Sequence, residues 1–242
     1  MSNSDYKISG QKFSWPPNYQ LRVSKRAKRM RLQISSRQGL QIIVPANSDK
    51  NSALDFLNSK RNWVEKHLTT TVTTTEKELF PTQIKLTAID KYWRVIYQPT
   101  CDTTKVYLIE QRDEVILYGN VQDVTAIRIV LVQWLKKQSE VFLTAFLKKL
   151  SAQCQLSFNA VTIRKQQSRW GSCSRTKNIN LNCKLMFLPY EWVKYVLIHE
   201  LCHTKQFNHS EKFWRLVANF MPNHQEIRQQ FKLAHQYIPA WV

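Results

Sequence analysis

At 242 residues and 43 % apolar composition, the chain is long enough to bury a sizeable core and too apolar to be a disordered tail. Its 36 Lys and Arg against 17 Asp and Glu leave a net charge of +19, a field that attracts polyanions without choosing among nucleic acid, nucleotide phosphates and anionic lipid. Five scattered cysteines exclude a dense disulfide scaffold, no run approaches the ~18 apolar residues of a membrane span, and the opening MSNSDYKISGQKF has no apolar signal-peptide core, so a soluble, reduced, cytoplasmic protein away from the membrane is expected.

The first half is rich in strand signals. Leu21 to Ile34 is basic and mostly alternating, and Ser35-Ser36-Arg37-Gln38-Gly39 reads as a turn. Leu40 to Val44 follows as a second strand stopped by Pro45, which predicts a hairpin. The basic stretch carries Arg22, Lys25, Arg26, Lys28, Arg29 and Arg31, a possible nucleic-acid contact or simply a solvated charge run. One helix is predicted over Ser52–Leu68, with Leu54, Leu57, Val64 and Leu68 on one face and Phe56 and Trp63 on another. The Thr-rich stretch 69–75 reads as a linker. Four strands are predicted next, over Gln83–Ala88, Tyr92–Gln98, Val106–Ile109 and Glu114–Tyr118.

From about Val121 to Gln155 the period becomes helical, with Ile127, Val130, Leu131, Trp134 and Leu135 in phase. Val161–Ile163 and Ile179–Leu185 read as strands separated by a loop at 168–174. Pro189 suits the first turn of a helix that runs to about Gln206. Ser210 is a good N-cap for a helix to Phe220, and a last helix spans about Gln225 to Gln236. The order of elements predicts an α+β protein, with a β-rich part over 1–120 followed by a helical core over 121–242.

The sharpest signal is His199-Glu200-Leu201-Cys202-His203, an HExxH pattern. On a helix, residues four apart share a face, so both imidazoles can reach one ion. Zinc with three protein ligands keeps a position for water and lowers its pKa to about 7, and a neighbouring Glu200 is placed to take that proton as general base. Roughly 0.006 chance matches are expected in a chain of this composition. His209, six residues beyond His203, matches the spacing of the longer HExxHxxGxxH motif, although Gln206 stands where that motif has Gly. The predicted exit is therefore through Phe207-Asn208, with Asn208 left-handed. His224, His235, Glu211 and Glu226 are the rival third ligands. Cys202 points about 60° away from His199 and reads as core.

These residues resemble the YgjP-like metallohydrolase family, relatives of the zincin metallopeptidases and of SprT-like proteins. The resemblance is strongest from Arg164 to Trp214, through Arg169-Trp170-Gly171-Ser172-Cys173, Ile179-Asn180-Leu181-Asn182, Leu188-Pro189, Tyr195-Val196, His199 to His203 and His209 to Trp214. Arg26 to Met30, Leu40 to Pro45 and Trp63 match more weakly. It implies a zincin-type helical core built on the HExxH helix, one Zn2+ or another divalent transition metal per chain, and His209 as third ligand. It also makes Ile179–Leu185 a candidate strand for pairing with extended peptide. Asn180 and Asn182 on it, with Arg169 and Trp170 near the cleft, are then candidate substrate contacts; as an ordinary sheet strand it would instead turn Asn180 and Asn182 to solvent and Ile179, Leu181 and Cys183 to the core. The plain alternative puts Trp170 in the core and Gly171 at a turn. The implied reaction is hydrolysis of a peptide. The alternative reading is a nucleotide (UTP) pyrophosphatase, and a further one is a basic zinc-containing DNA-binding module.

Overall fold

A computed structural model describes residues 6–8, 11–13, 15–35, 39–46, 48–72, 80–100 and 104–242. The chain forms two compact units, Met1–Glu78 and Leu79–Val242. The β-rich stretch 1–120 is shared between them, so residue 120 marks where the strands give way to a long helix rather than where the units part.

In the first unit β1 (Tyr6–Ile8) and β2 (Gln11–Phe13) pair antiparallel. The basic stretch 21–34 is not one strand. It divides into β3 (Tyr19–Ser24) and β4 (Arg31–Ser35), with a turn closed by the Ala27 N–H on the Ser24 carbonyl between them. Four cations at Lys25, Arg26, Lys28 and Arg29 gain solvation in that turn, where all four are exposed. β5 (Gly39–Pro45) is the central strand, antiparallel to β4 as the predicted hairpin requires and parallel to β3. Being flanked on both sides, it carries a continuous buried run, Leu40 to Val44, instead of an alternating one. The helix expected over 52–68 is two helices, α1 (Lys50–Ser59) and α2 (Arg61–Val72), which bring Ala53, Leu57 and Val64 onto Leu40, Ile42 and Val44. Trp63, on the other face, is exposed. Residues 69–72 continue α2 instead of opening a linker, and 73–75 lie outside the described residues.

In the second unit the four predicted strands form one sheet, ordered β6 (Gln83–Leu86), β7 (Lys91–Pro99), β9 (Glu114–Gly119), β8 (Val106–Gln111). The 31-residue helix α3 (Val124–Cys154) follows, capped by Asp123, whose carboxylate accepts from the Thr125 and Ala126 amides. Its core stripe includes Ile127, Leu131, Trp134 and Leu135. Trp134 meets Trp93 edge to face at 5.2 Å, and both indole N–H groups donate to the Glu110 carboxylate.

A smaller sheet sits beside the HExxH helix. It is ordered β10 (Ala160–Arg164), β12 (Asn178–Asn182), β11 (Gly171–Cys173), with β12 in the middle, parallel to β10 and antiparallel to β11. β12 ends earlier than the predicted strand, and Cys183–Phe187 turn into a 3-10 segment. Then come α4 (Tyr190–Cys202), α5 (Glu211–Phe220), α6 (His224–Gln230) and a closing 3-10 segment, Phe231–Tyr237. Apolar residues fill nearly all sides of α4, from Trp192 to Cys202, which makes it the buried axis of this unit. Among the described residues no helix is long and apolar enough to cross a membrane.

Candidate metal centre

α4 supplies His199 near its end and His203 at its C-cap, one turn apart on the same face. The chain then turns sharply: Lys205 and Gln206 both donate their amides to the Cys202 carbonyl, and the buried Thr204 hydroxyl donates to the Leu201 carbonyl. This exit needs no left-handed residue, and Asn208 is not among those with positive φ. The expected route through a left-handed Asn208 is therefore not taken, which explains how Gln206 can occupy the place of a glycine. The turn delivers His209 back onto the helix end, and Ser210 precedes α5.

The result is a cluster of three ring nitrogens. His199 Nε2 lies 3.2 Å from His203 Nε2 and 3.1 Å from His209 Nε2, and the ligand atoms of the three all fall within 4.8 Å of one another. The His203 Nδ1–H donates to the Gln206 carbonyl at 2.9 Å, which leaves a lone pair on its Nε2. His199 Nε2 faces two nitrogens at once, and one N–H can satisfy only one of them. Without a shared cation, at least one of the two contacts would thus have no proton placed between its nitrogens. Nitrogens about 2.0–2.1 Å from a tetrahedral zinc are about 3.3 Å apart, close to the spacing found. The donor set suits zinc or a neighbouring transition metal.

Electrostatics agree with geometry. Burial, reinforced by His203, His209 and Arg228, pushes His199 down to about 3, so it stays neutral and ligand-competent. His203 is also lowered by burial, partly offset by its bond to Gln206. Phe213 of α5, fully buried, stacks on His203 at 4.5 Å and meets His199 and His209 edge-on at 4.9 Å. These contacts lock ring orientations that hydrogen bonds leave open, notably for His199, whose buried Nδ1 has no partner.

Glu200 is 5 % exposed, and its Oε2 is buried without a hydrogen-bond partner. Burial pushes its carboxyl up to about 8, with the Arg169 guanidinium opposing the rise. It lines a cleft of about 360 Å³ with His199, Tyr195, Arg169, Trp170, Gly171 and Arg228 among its walls. Gly171 belongs to β11, not to a turn as the plain sequence alternative had it. Its role is clearance: a Cβ there would lie 2.6 Å from Glu200 Oε1 and 2.8 Å from Cγ. Gly171→Ala is expected to displace the carboxylate, lowering kcat by about 100-fold while metal content, read by elemental analysis, is unchanged.

The other expected residues separate. Arg169 and Trp170 both line the cleft, Trp170 half-buried against Phe231 and His235. Asn180, half-buried, donates to the Ser172 hydroxyl. Asn182 does not face outward: it is 2 % exposed, and its amide donates to the Gln166 and Arg169 carbonyls at 2.9 and 2.8 Å while its oxygen accepts from the Lys184 amide. It fixes the loop that carries Arg169. The strand expected to pair with peptide is also corrected. β12 is bonded on both edges, by β10 and β11, and has no backbone groups to offer. The outer edge of this sheet beside Glu200 belongs to β11. Of the rival ligands, Glu211 pairs with Arg215 at 2.6 Å, His224 donates through Nδ1 to the Met221 carbonyl, and neither these nor His235 and Glu226 join the cluster.

Sequence reasoning missed Tyr195, Arg228, Phe213 and Trp214 as parts of the site. Tyr195 was legible, standing four residues before His199 on one helix face. Arg228 arrives from a helix 29 positions downstream of His199, and no local pattern announces it.

No curated protein matches the chain. Among solved structures, the metallopeptidase zymogen abylysin of Pyrococcus abyssi aligns at 27 % identity over 39 % of this chain and 96 % of its own, with a TM-score of 0.36. Jannalysin of Methanocaldococcus jannaschii, also a metallopeptidase zymogen, aligns at 24 % over 37 % of this chain and 92 % of its own, with a TM-score of 0.33. The model of the YgjP-like family, described as a YgjP-like metallopeptidase domain, matches residues 28–234. A match of that extent takes in the small sheet, the HExxH helix and all three histidines: the chain belongs to the YgjP-like family of metallohydrolases.

Proposed function

We propose that the protein is a zinc-dependent metallopeptidase in which His199, His203 and His209 hold one metal ion and Glu200 is the general base. The convergence of three Nε2 atoms beside a buried, unpartnered carboxylate carries this reading. A divalent cation held there supplies Lewis acidity, lowering the pKa of water and polarising the scissile carbonyl. Glu200, packed against Gly171, takes a proton from the attacking water and returns it to the leaving amine. Arg169 and Arg228 bring positive charge to the cleft, where it opposes the negative charge that develops on the carbonyl oxygen. Tyr195 and Trp170 wall off solvent. In an antiparallel ladder alternate residues point their N–H and C=O away from the partner strand, so Gly171 and Cys173 of β11 offer backbone groups to an extended peptide.

The net charge of +19 favours a second reading, hydrolysis of a nucleotide such as UTP at the same metal. One panel decides. Purified protein should carry near-stoichiometric zinc and cleave casein while leaving nucleoside triphosphates intact. Release of pyrophosphate from UTP with casein untouched would replace the peptidase reading. Salt-dependent DNA binding through the exposed cations of β3, β4 and their turn, with neither hydrolysis, would leave the binding-module reading.

A further inference from the structure

A second cavity adjoins the cleft. Its volume is about 520 Å³, and its lining is Trp214, His224, Gln225, Arg228, Gln229 and Lys232. Arg228 lines both cavities, and Trp214 stacks on the His209 ring at 5.7 Å, so the second cavity shares a wall residue with the cleft and another with the histidine cluster. Two of its six lining residues are cations, the others are amides, an imidazole and an indole, and none is acidic. Neither Arg228 nor Lys232 forms an ion pair with a carboxylate among the described residues. The Arg228 guanidinium lies over the Trp214 ring at 4.5 Å from its centroid, which holds the fork in a fixed plane. His224 stacks on the same indole, with its Nδ1–H committed to the Met221 carbonyl. An oriented guanidinium, an ammonium four residues further on in the closing 3-10 segment and two amides suit a carboxylate, which a guanidinium binds through two parallel N–H bonds.

Resting on the metallopeptidase reading, we infer that this cavity receives a carboxylate of the peptide, so that the substrates carry an acidic side chain close to the scissile bond. Arg228 and Lys232 are the residues that set this preference. The free edge of β11 in the adjoining cleft favours an extended peptide over a nucleotide as the bearer of the anion.

The test is binding to the zinc-loaded, full-length Glu200→Gln protein, read by calorimetry. Hexapeptides in which one Glu walks through a neutral sequence are each compared with a Gln twin, at two salt concentrations so that the overall charge is screened. At one register the Glu peptide should bind at least tenfold tighter than its twin. That ratio should fall to near one in the Arg228→Gln background and by several-fold with Lys232→Gln. Equal binding of the twins, a preference that survives both substitutions, or Arg228-dependent binding of UTP tighter than of any Glu peptide would overturn the inference. A preference that depends on Arg228 in a protein whose wild type cuts no peptide would uphold the cavity's role and sink the peptidase reading alone.

Discussion

His199→Ala should release the metal and abolish hydrolysis together. His199 Nε2 is the atom both other ligands approach, at 3.1 and 3.2 Å, so its loss leaves two imidazoles that no longer share a neighbour. Removing a partner that merely orients a ligand costs 10–100-fold in metal affinity, and removing this ligand should cost more than 100-fold. The thermal signature is separate from activity. A metal that binds only the folded chain stabilises it by about 4 kcal/mol at a thousand times its dissociation constant. Wild-type protein should therefore lose several degrees of Tm on chelation, and the variant should melt at one temperature with or without zinc. Full zinc occupancy in His199→Ala protein, by elemental analysis, would remove the three-histidine assignment.

The site was legible from the sequence where its geometry is set by helix period, and illegible where it depends on the return of distant chain. His199 and His203 follow from one turn of α4, and α5 was predicted over its full length because Ser210 and Pro222 bracket a strongly amphipathic run. All four strands of the larger sheet were located, with clean alternation in β6 and β9, although the first expected strand ran on to Ala88 where Thr87–Ile89 form a 3-10 turn. Two features misled. Ile179, Leu181 and Cys183 alternate as in an edge-type strand, yet β12 is central because β10 pairs with it in parallel, a partner choice alternation cannot reveal. Asn182 reads as a surface polar residue but is buried, since three backbone groups of a neighbouring loop and turn satisfy its amide. Gly171 has an explanation no local signal supplies: its missing side chain is the space Glu200 occupies.

That packing also makes Glu200→Gln the most informative substitution at the base. The amide has the carboxylate's shape and fits against Gly171, so metal content should stay at the wild-type level while kcat falls by about 10²–10⁴-fold. The two substitutions at this contact thus differ in kind. Gly171→Ala keeps the base and spoils its position, whereas Glu200→Gln keeps the position and removes the base. Stability separates them again. Burial raises the folded-state pKa of Glu200 to about 8, against about 4.3 for an unfolded Glu, so the folded chain prefers the protonated form. Below the unfolded value the acid is neutral in both states and costs nothing. Between about pH 4.3 and 8 the unfolded chain ionises first and stability drains away, and above 8 the loss is complete, on the order of a few kcal/mol. Metal-free Glu200→Gln protein cannot suffer that loss. It should melt with metal-free wild type at pH 4 and several degrees above it at pH 9. Coincident melting curves at both pH values would show that Glu200 is not buried as a strained, unpaired acid, and a variant with wild-type kcat would take the general base away from this residue.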